Sequence, residues 1–65
     1  MPRYFFHVHC KDNVHLDDEG LELSSLRKAV VEANQARAEI MSEKKLDELW
    51  LEIMDRAGHV VAKVG

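Results

Sequence analysis

One stretch of the chain has the spacing of an amphipathic helix whose buried side consists mostly of small residues. Its apolar positions recur at intervals of three and four residues: Leu26, Ala29, Val30, Ala33, Ala36 and Ile40. This spacing predicts a helix from about Leu26 to Lys45, with Ser24 or Ser25 as its N-cap. Because the stripe is narrow and rich in alanine, the helix can approach a sheet closely, and this favours a fold with one helix on a sheet.

Four segments around this helix have the composition and alternation of β-strands. Their predicted bounds are Tyr4 to Cys10, Val14 to Asp17, Leu49 to Met54 and His59 to Val64. Turn residues separate the strands of each pair, and Gly58 lies where a hairpin loop needs a positive φ. Each hairpin and the helix present one apolar face. We therefore predict an α+β fold, a two-layer β-β-α-β-β arrangement with a mostly antiparallel sheet and the helix on one face.

The alternation also predicts a register for each hairpin. A three-residue first turn would pair His9 with His15, and a four-residue second loop would pair Ile53 with Val60. These registers are favoured because they collect the apolar side chains on the inner face, whereas a shift of one residue would send every side chain to the opposite face.

Length and composition limit the class of protein. The chain has 65 residues, a formal net charge of −3 and one cysteine, Cys10. We expect a single domain over residues 1–65, without an internal disulfide and with only about 3–5 kcal/mol of stability from its core. We expect no membrane span, since no stretch approaches ~20 apolar residues, and no nucleic-acid binding, since the basic residues are scattered. A lone thiol without an export signal indicates a cytoplasmic protein.

Three histidines form the one cluster with chemical promise. In the predicted register, His7, His9 and His15 share the outer face of the first hairpin, and Asp17 lies opposite His7. Imidazoles in this arrangement are suited to zinc, nickel or copper. The spacing matches no established zinc motif, and a polar outer face that carries histidines explains the same residues. Metal binding by this cluster is therefore a hypothesis beside that simpler interpretation.

The same alternation places large apolar side chains on the face of the sheet away from the helix. These residues are Phe5, Trp50, Met54 and Val61. An exposed apolar patch of this kind indicates a binding surface, and Trp50 is the expected anchor because tryptophan is enriched at interface hot spots. One alternative is that a terminus or the loop from Asp17 to Leu23 folds over this face; another is that these are isolated surface hydrophobes, which are normal in proteins.

Several segments together resemble a family of short, uncharacterised bacterial proteins that is described as a domain of unknown function. The shared features are the opening run Pro-Arg-Tyr-Phe-Phe-His-Val at residues 2–8, the acidic glycine-containing loop at 17–23, the alanine-rich helix, the run Trp-Leu-Glu-Ile at 50–53, and the turn with Asp55 and Gly58. The resemblance implies a common fold and no agreed activity. The chain departs from the family pattern at residues 10–15, so the resemblance implies no role for His9, Cys10 or His15.

Function is predicted only in outline. The sequence has no acid–base pair, activated nucleophile or glycine-rich phosphate loop, so we do not expect an enzyme. The first hypothesis is a small protein–protein interaction module that forms a homodimer or binds an unknown protein. The second is a small metal-binding protein with zinc or nickel as the cofactor. The third is an antitoxin-like partner of a toxin, because element order and helix composition resemble those of small antitoxins that pair with an RNA-degrading toxin.

Overall fold

The computed structural model describes residues 1–44 and 48–65, and within them the predicted α+β class is confirmed. One helix and five strands follow the chain in the order β1 (Arg3–Cys10), β2 (Asn13–His15), β3 (Leu21–Glu22), α1 (Leu26–Lys44), β4 (Trp50–Met54) and β5 (Val60–Val64). The four predicted strands are present with ends shifted by up to two residues, and β3 is an additional short strand. The predicted helix end at Lys45 lies outside the described residues.

All strand pairs in the described part of the chain are antiparallel, and the main sheet has the order β2-β1-β4-β5. The short β3 pairs with the beginning of β1, while β2 pairs with its end. The helix packs on β4 and β5. One face of the sheet, which we call the inner face, is thus covered by α1, and the opposite one is the outer face.

The core forms where the alanine stripe of the helix meets the inner face. Ala29 and Ala33 are fully buried against Leu51 and Ile53, the two large side chains with less than 2% exposure among the described residues. The small side chains let the helix backbone approach the sheet, as the sequence predicts. Ser25 caps the helix, because its Oγ accepts a hydrogen bond from the Lys28 N–H at 3.3 Å.

The predicted register of the first hairpin is wrong by one residue. The turn contains two residues rather than three, and His9 lies opposite Val14 while His15 lies opposite Val8. Lys11 makes the shorter turn with a φ of 52°. Burial could not select the register here, because all three residues of β2 are exposed at the edge of the sheet.

The second hairpin has the predicted turn but a different register. Gly58 adopts a φ of 86° as expected, and its N–H donates to the Asp55 carbonyl at 3.1 Å. Ile53 lies opposite Ala62 rather than Val60, because the turn shifts the pairing by one residue, so that Met54 lies opposite Val60, and a β-bulge at Val61 shifts it by one more. The register differs by two residues, so Ile53 keeps the predicted inward orientation.

Candidate functional site

The outer face of the sheet is the surface where the sequence places the functional side chains. Alternation from the paired residues defines its members as Arg3, Phe5, His7, His9, Val14, Glu22, Trp50, Glu52, Met54, Val60 and Lys63. The helix lies on the other side of the sheet. Among the described residues, no helix packs on the outer face.

An apolar row crosses this face at one end. Phe5 lies opposite Met54, which in turn lies opposite Val60. Phe5 and Met54 are half-buried, whereas Val60 is 47% exposed. Phe5 also rests against the loop before β3, since a Cβ added to Gly20 would lie 2.9 Å from its ring. The predicted alternative of a loop folded over the face is therefore realised at Phe5.

Trp50 is held between two neighbours at the other end of the face. Its ring stacks on that of His9 with centroids 3.9 Å apart and an angle of 8° between the planes. The Lys63 ammonium lies 5.3 Å from the centroid of the Trp50 ring, in cation–π geometry. Since side chains of the same chain contact the indole in both ways, Trp50 is less free to anchor a partner than the sequence predicts.

A polar row separates these two groups. Glu52 lies opposite His7 on one side and Lys63 on the other. The His9 Nε2 atom is 3.6 Å from Glu52 Oε1, too far for a hydrogen bond. This nitrogen is buried and has no hydrogen-bond partner among the described residues. At the centre of the face, the Glu52 carboxylate and the His9 Nε2 atom therefore lie close together without forming a hydrogen bond.

Asp17 fills the edge of β1 between β2 and β3. Its carboxylate accepts hydrogen bonds from the N–H groups of Phe6 at 3.1 Å, Glu19 at 3.2 Å and Gly20 at 3.0 Å. Burial alone would raise the pKa of Asp17, but these backbone donors outweigh it and hold the pKa below its usual range. The acidic loop therefore has a structural role, because it satisfies backbone groups at the edge of β1 between β2 and β3.

The Asp17 N–H donates to His7 Nδ1 at 3.0 Å, which confirms the predicted proximity of these two residues. In a neutral imidazole, an acceptor Nδ1 leaves the hydrogen on Nε2. A ring nitrogen that carries hydrogen is not a metal ligand, so this hydrogen bond opposes metal binding through His7 Nε2.

The predicted histidine cluster is not assembled. His7 and His9 share the outer face, but the one-residue shift in register places His15 opposite Val8, on the other side of the sheet. Among residues 1–44 and 48–65, no three His, Cys, Asp or Glu side chains are grouped so that they could hold a metal ion.

The structure keeps three of the four predicted partner-binding residues on the outer face. Phe5, Trp50 and Met54 are there, but Val61 is not, because the β-bulge turns it toward the core cluster. Val60 takes its place. Sequence reasoning missed Val60 because alternation cannot locate a bulge, and the pattern of two adjacent valines fits either register.

Val14 and Lys63 also join the face without having been predicted as site residues. Val14 was assigned to the inner face by the wrong hairpin register, and it is 52% exposed opposite His9. The alternation of β5 predicts that Lys63 points outward. Its position over Trp50, however, depends on the pairing of Lys63 with Glu52, and the predicted loop length does not produce that pairing.

The fold and this face define the class of the protein: a small α+β domain with a sheet covered by a helix on one side and an aromatic and charged outer face. The chain belongs to the family DUF6894, a domain of unknown function, whose family model matches residues 3–65. No curated protein and no solved structure is significantly similar to it. In the described part of the chain, no helix is both long and apolar enough to cross a membrane.

Proposed function

We propose that this domain is a non-enzymatic interaction module that associates with a second copy of itself through the outer face. The observation that carries this proposal is the apolar row of Phe5, Met54 and Val60, on a sheet face that no described helix covers. A second layer on this face would remove these side chains from water, as the facing sheets of a β-sandwich do.

The small core supports a second copy as the partner. Among the described residues, seven hydrophobic residues are buried, and two of these are alanines of the helix. A domain of this length buries only about 60% of the surface of its unfolded chain, so its stability is small. Association of folded copies stabilises the fold by mass action. Another copy of the chain is always available for such an association.

The charges of the outer face also permit self-association. Arg3 forms an ion pair with Glu22 at 2.9 Å, and Lys63 lies opposite Glu52. With neutral histidines, the two cations and two carboxylates of the face cancel. Two such faces therefore meet without net repulsion, and a closed two-fold dimer is the ordinary result of one surface binding its own copy.

A cleft elsewhere in the molecule does not favour catalysis. It has a volume of about 440 Å³ and lies beside the first residue of the helix, with Tyr4, Asp55 and Arg56 in its lining. The Asp55 carboxylate accepts two backbone hydrogen bonds within its own turn, from Ala57 and His59. Both bonds go to Oδ1, so Asp55 has a structural role in the turn.

The two alternative functions have less support. Metal binding rests on three histidines that the sheet does not bring together. An antitoxin-like role would use the same outer face to bind a toxin. A stable complex with a toxin encoded beside this protein, formed in place of the dimer, would favour that role.

The test compares two lysine substitutions that add the same charge to different surfaces. Met54→Lys places an ammonium in the apolar row, whereas Val31→Lys changes a helix residue that is already 50% exposed. Sedimentation equilibrium of the untagged protein should give a dimer for the wild type and for Val31→Lys, and a monomer for Met54→Lys. A monomeric wild type at high concentration, or equal dissociation of both variants, would overturn the proposal. Circular dichroism checks that both variants are folded.

A further inference from the structure

The unbonded nitrogen of His9 is the feature of the outer face that self-association does not explain. His9 Nε2 is buried and points toward Glu52 Oε1 across 3.6 Å, while the ring lies flat on Trp50. A buried polar atom without a partner is costly, and one hydrogen bond would remove that cost. Among the groups shown nearby, Glu52 is the acceptor in position to receive such a bond.

We infer that His9, Trp50 and Glu52 form a proton-responsive element. Uptake of one proton makes both ring nitrogens of His9 donors, so that Nε2–H faces the Glu52 carboxylate. A charge-assisted hydrogen bond of about 2.7–2.9 Å then replaces the 3.6 Å gap. The histidine ring is drawn toward Glu52 and becomes a cation stacked on the Trp50 indole. The proton comes from solvent and returns to it, and no covalent bond between heavy atoms changes.

The charged groups around His9 decide the direction of this response. From its own strand, His7 shares the face two residues away; from β4, Glu52 supplies the carboxylate; from β5, Lys63 lies over Trp50 and opposite Glu52. The β2 residue opposite His9 is the uncharged Val14. Glu52 favours the protonated ring, while Lys63 and a protonated His7 oppose it. Glu52 Oε1 lies 3.6 Å from His9 Nε2, and the carboxylate is half-buried beside the ring, so protonation turns this close approach into a hydrogen bond.

The response has a consequence for association that rests on the proposed dimer. Protonation adds a positive charge to a face whose fixed charges otherwise cancel. In a two-fold dimer, the same charge is added to both facing surfaces. Acidification through the range in which histidines change charge, about pH 8 to 5, therefore weakens the dimer.

Trp50 provides a direct readout, because it is the single tryptophan of the chain. A stacked imidazolium quenches indole fluorescence more strongly than a neutral imidazole does. The emission of the wild type should therefore fall as the pH is lowered from about 8 to 5. This transition should be absent in His9→Gln and move to lower pH in Glu52→Gln. It should persist in His15→Gln and His59→Gln, which change exposed histidines away from Trp50.

Proton NMR of the histidine rings provides a second measurement that requires no substitution. The ring signals of His9 should shift with the same midpoint as the Trp50 emission. An emission that does not change with pH, or that follows the signals of another histidine, would overturn the inference.

Sedimentation at the two ends of the pH range separates this inference from the proposed function. Dissociation on acidification that is lost in His9→Gln supports both, whereas dissociation that persists in His9→Gln supports the dimer and overturns the role of His9. An emission transition in a protein that is monomeric at every pH supports the proton-responsive element and overturns the proposed dimer.

Discussion

Asp17 and Asp55 each organise a loop by accepting backbone hydrogen bonds, yet they connect very different parts of the molecule. Asp55 accepts from Ala57 and His59, both at 2.9 Å and within four residues. Asp17 accepts from Phe6, eleven residues away, as well as from its own loop. The Asp55 turn can therefore form on its own, whereas the Asp17 loop forms only when β1 is in place.

The glycines of the two loops differ in the same way. Gly58 has a φ of 86°, and a Cβ added to it would have no atom within 4 Å. Gly20 has a φ of 71°, and its Cβ would lie 2.9 Å from both the Tyr4 carbonyl oxygen and the Phe5 ring. The first position requires only a backbone conformation, while the second also requires space against the sheet.

The largest predicted effect is the difference between alanine substitutions at these glycines. Gly20→Ala should reduce the free energy of unfolding by about 3 kcal/mol, because it combines an unfavourable φ with a collision against backbone. Gly58→Ala should cost about 1 kcal/mol from the backbone conformation alone. Thermal unfolding measures both, since about 1 kcal/mol corresponds to roughly 4–8 °C in a domain of this size. Equal losses would show that Gly20 is not packed against β1.

Substitution of each aspartate compares the two loops by the hydrogen bonds that are lost rather than by steric collisions. Asp17→Ala should cost about 1–3 kcal/mol, since it leaves the part-buried N–H of Phe6 without its acceptor. Asp55→Ala should cost less, because water can replace the carboxylate in an exposed turn. Urea unfolding of the two variants gives the difference. A larger loss for Asp55→Ala would contradict the long-range role of Asp17.

Acid should destabilise the protein through both loops. Backbone donation by His59 is the main reason that the pKa of Asp55 is lowered, and the pKa of Asp17 is lowered because several backbone donors outweigh its burial. A carboxyl whose folded pKa lies below its unfolded value, about 3.9, stabilises the fold above that value. This stabilisation is lost as the pH falls through the folded pKa.

Urea unfolding at pH 7 and at about pH 3 measures this loss in the wild type. Asp17→Asn and Asp55→Asn should each have a smaller difference between the two pH values than the wild type. A difference that neither substitution reduces would assign the acid sensitivity to other carboxyls.

The smallest predicted effect concerns the turn between β1 and β2. This turn has no glycine, and no aspartate side chain is shown to accept its backbone hydrogen bonds. Lys11 has a φ of 52°, a conformation that is favourable mainly for glycine. Lys11→Gly should stabilise the first hairpin by about 0.5 kcal/mol, as judged by the midpoint of thermal unfolding. Destabilisation would mean that Lys11 makes a contact that matters more than its backbone conformation.

Local signals account for what the sequence predicts correctly. The alanine stripe gives the helix and its packing face, and Asp55 with Gly58 gives the second turn. The errors occur where the outcome depends on distant residues. The register of β2 is set at an exposed edge, without burial to select it, and the bulge at Val61 has no local signature in two adjacent valines.

The residues of the candidate site show the same difference between what local sequence predicts and what depends on distant residues. Alternation finds Phe5, Trp50 and Met54, because β1 and β4 are central strands with a buried face to fix their phase. It assigns Val61 and His15 to the wrong face, because both belong to strands at the edges of the sheet. The stack of His9 on Trp50 depends on the pairing of β1 with β4, which joins strands from the two hairpins. No property of either hairpin alone indicates that pairing.

The bulge at Val61 also affects how copies of the domain can meet. Within the described residues β5 pairs with β4 alone, so its other side is an edge where a further strand could be added. The extra residue interrupts the inward–outward alternation of the side chains of β5. Val60 faces outward, while Val61 and Ala62 both face the core. Two copies of β5 aligned antiparallel about Ala62 would bring Val61 opposite the outward Lys63. The edge is therefore a poor template for its own copy, which discourages growth into open-ended fibres.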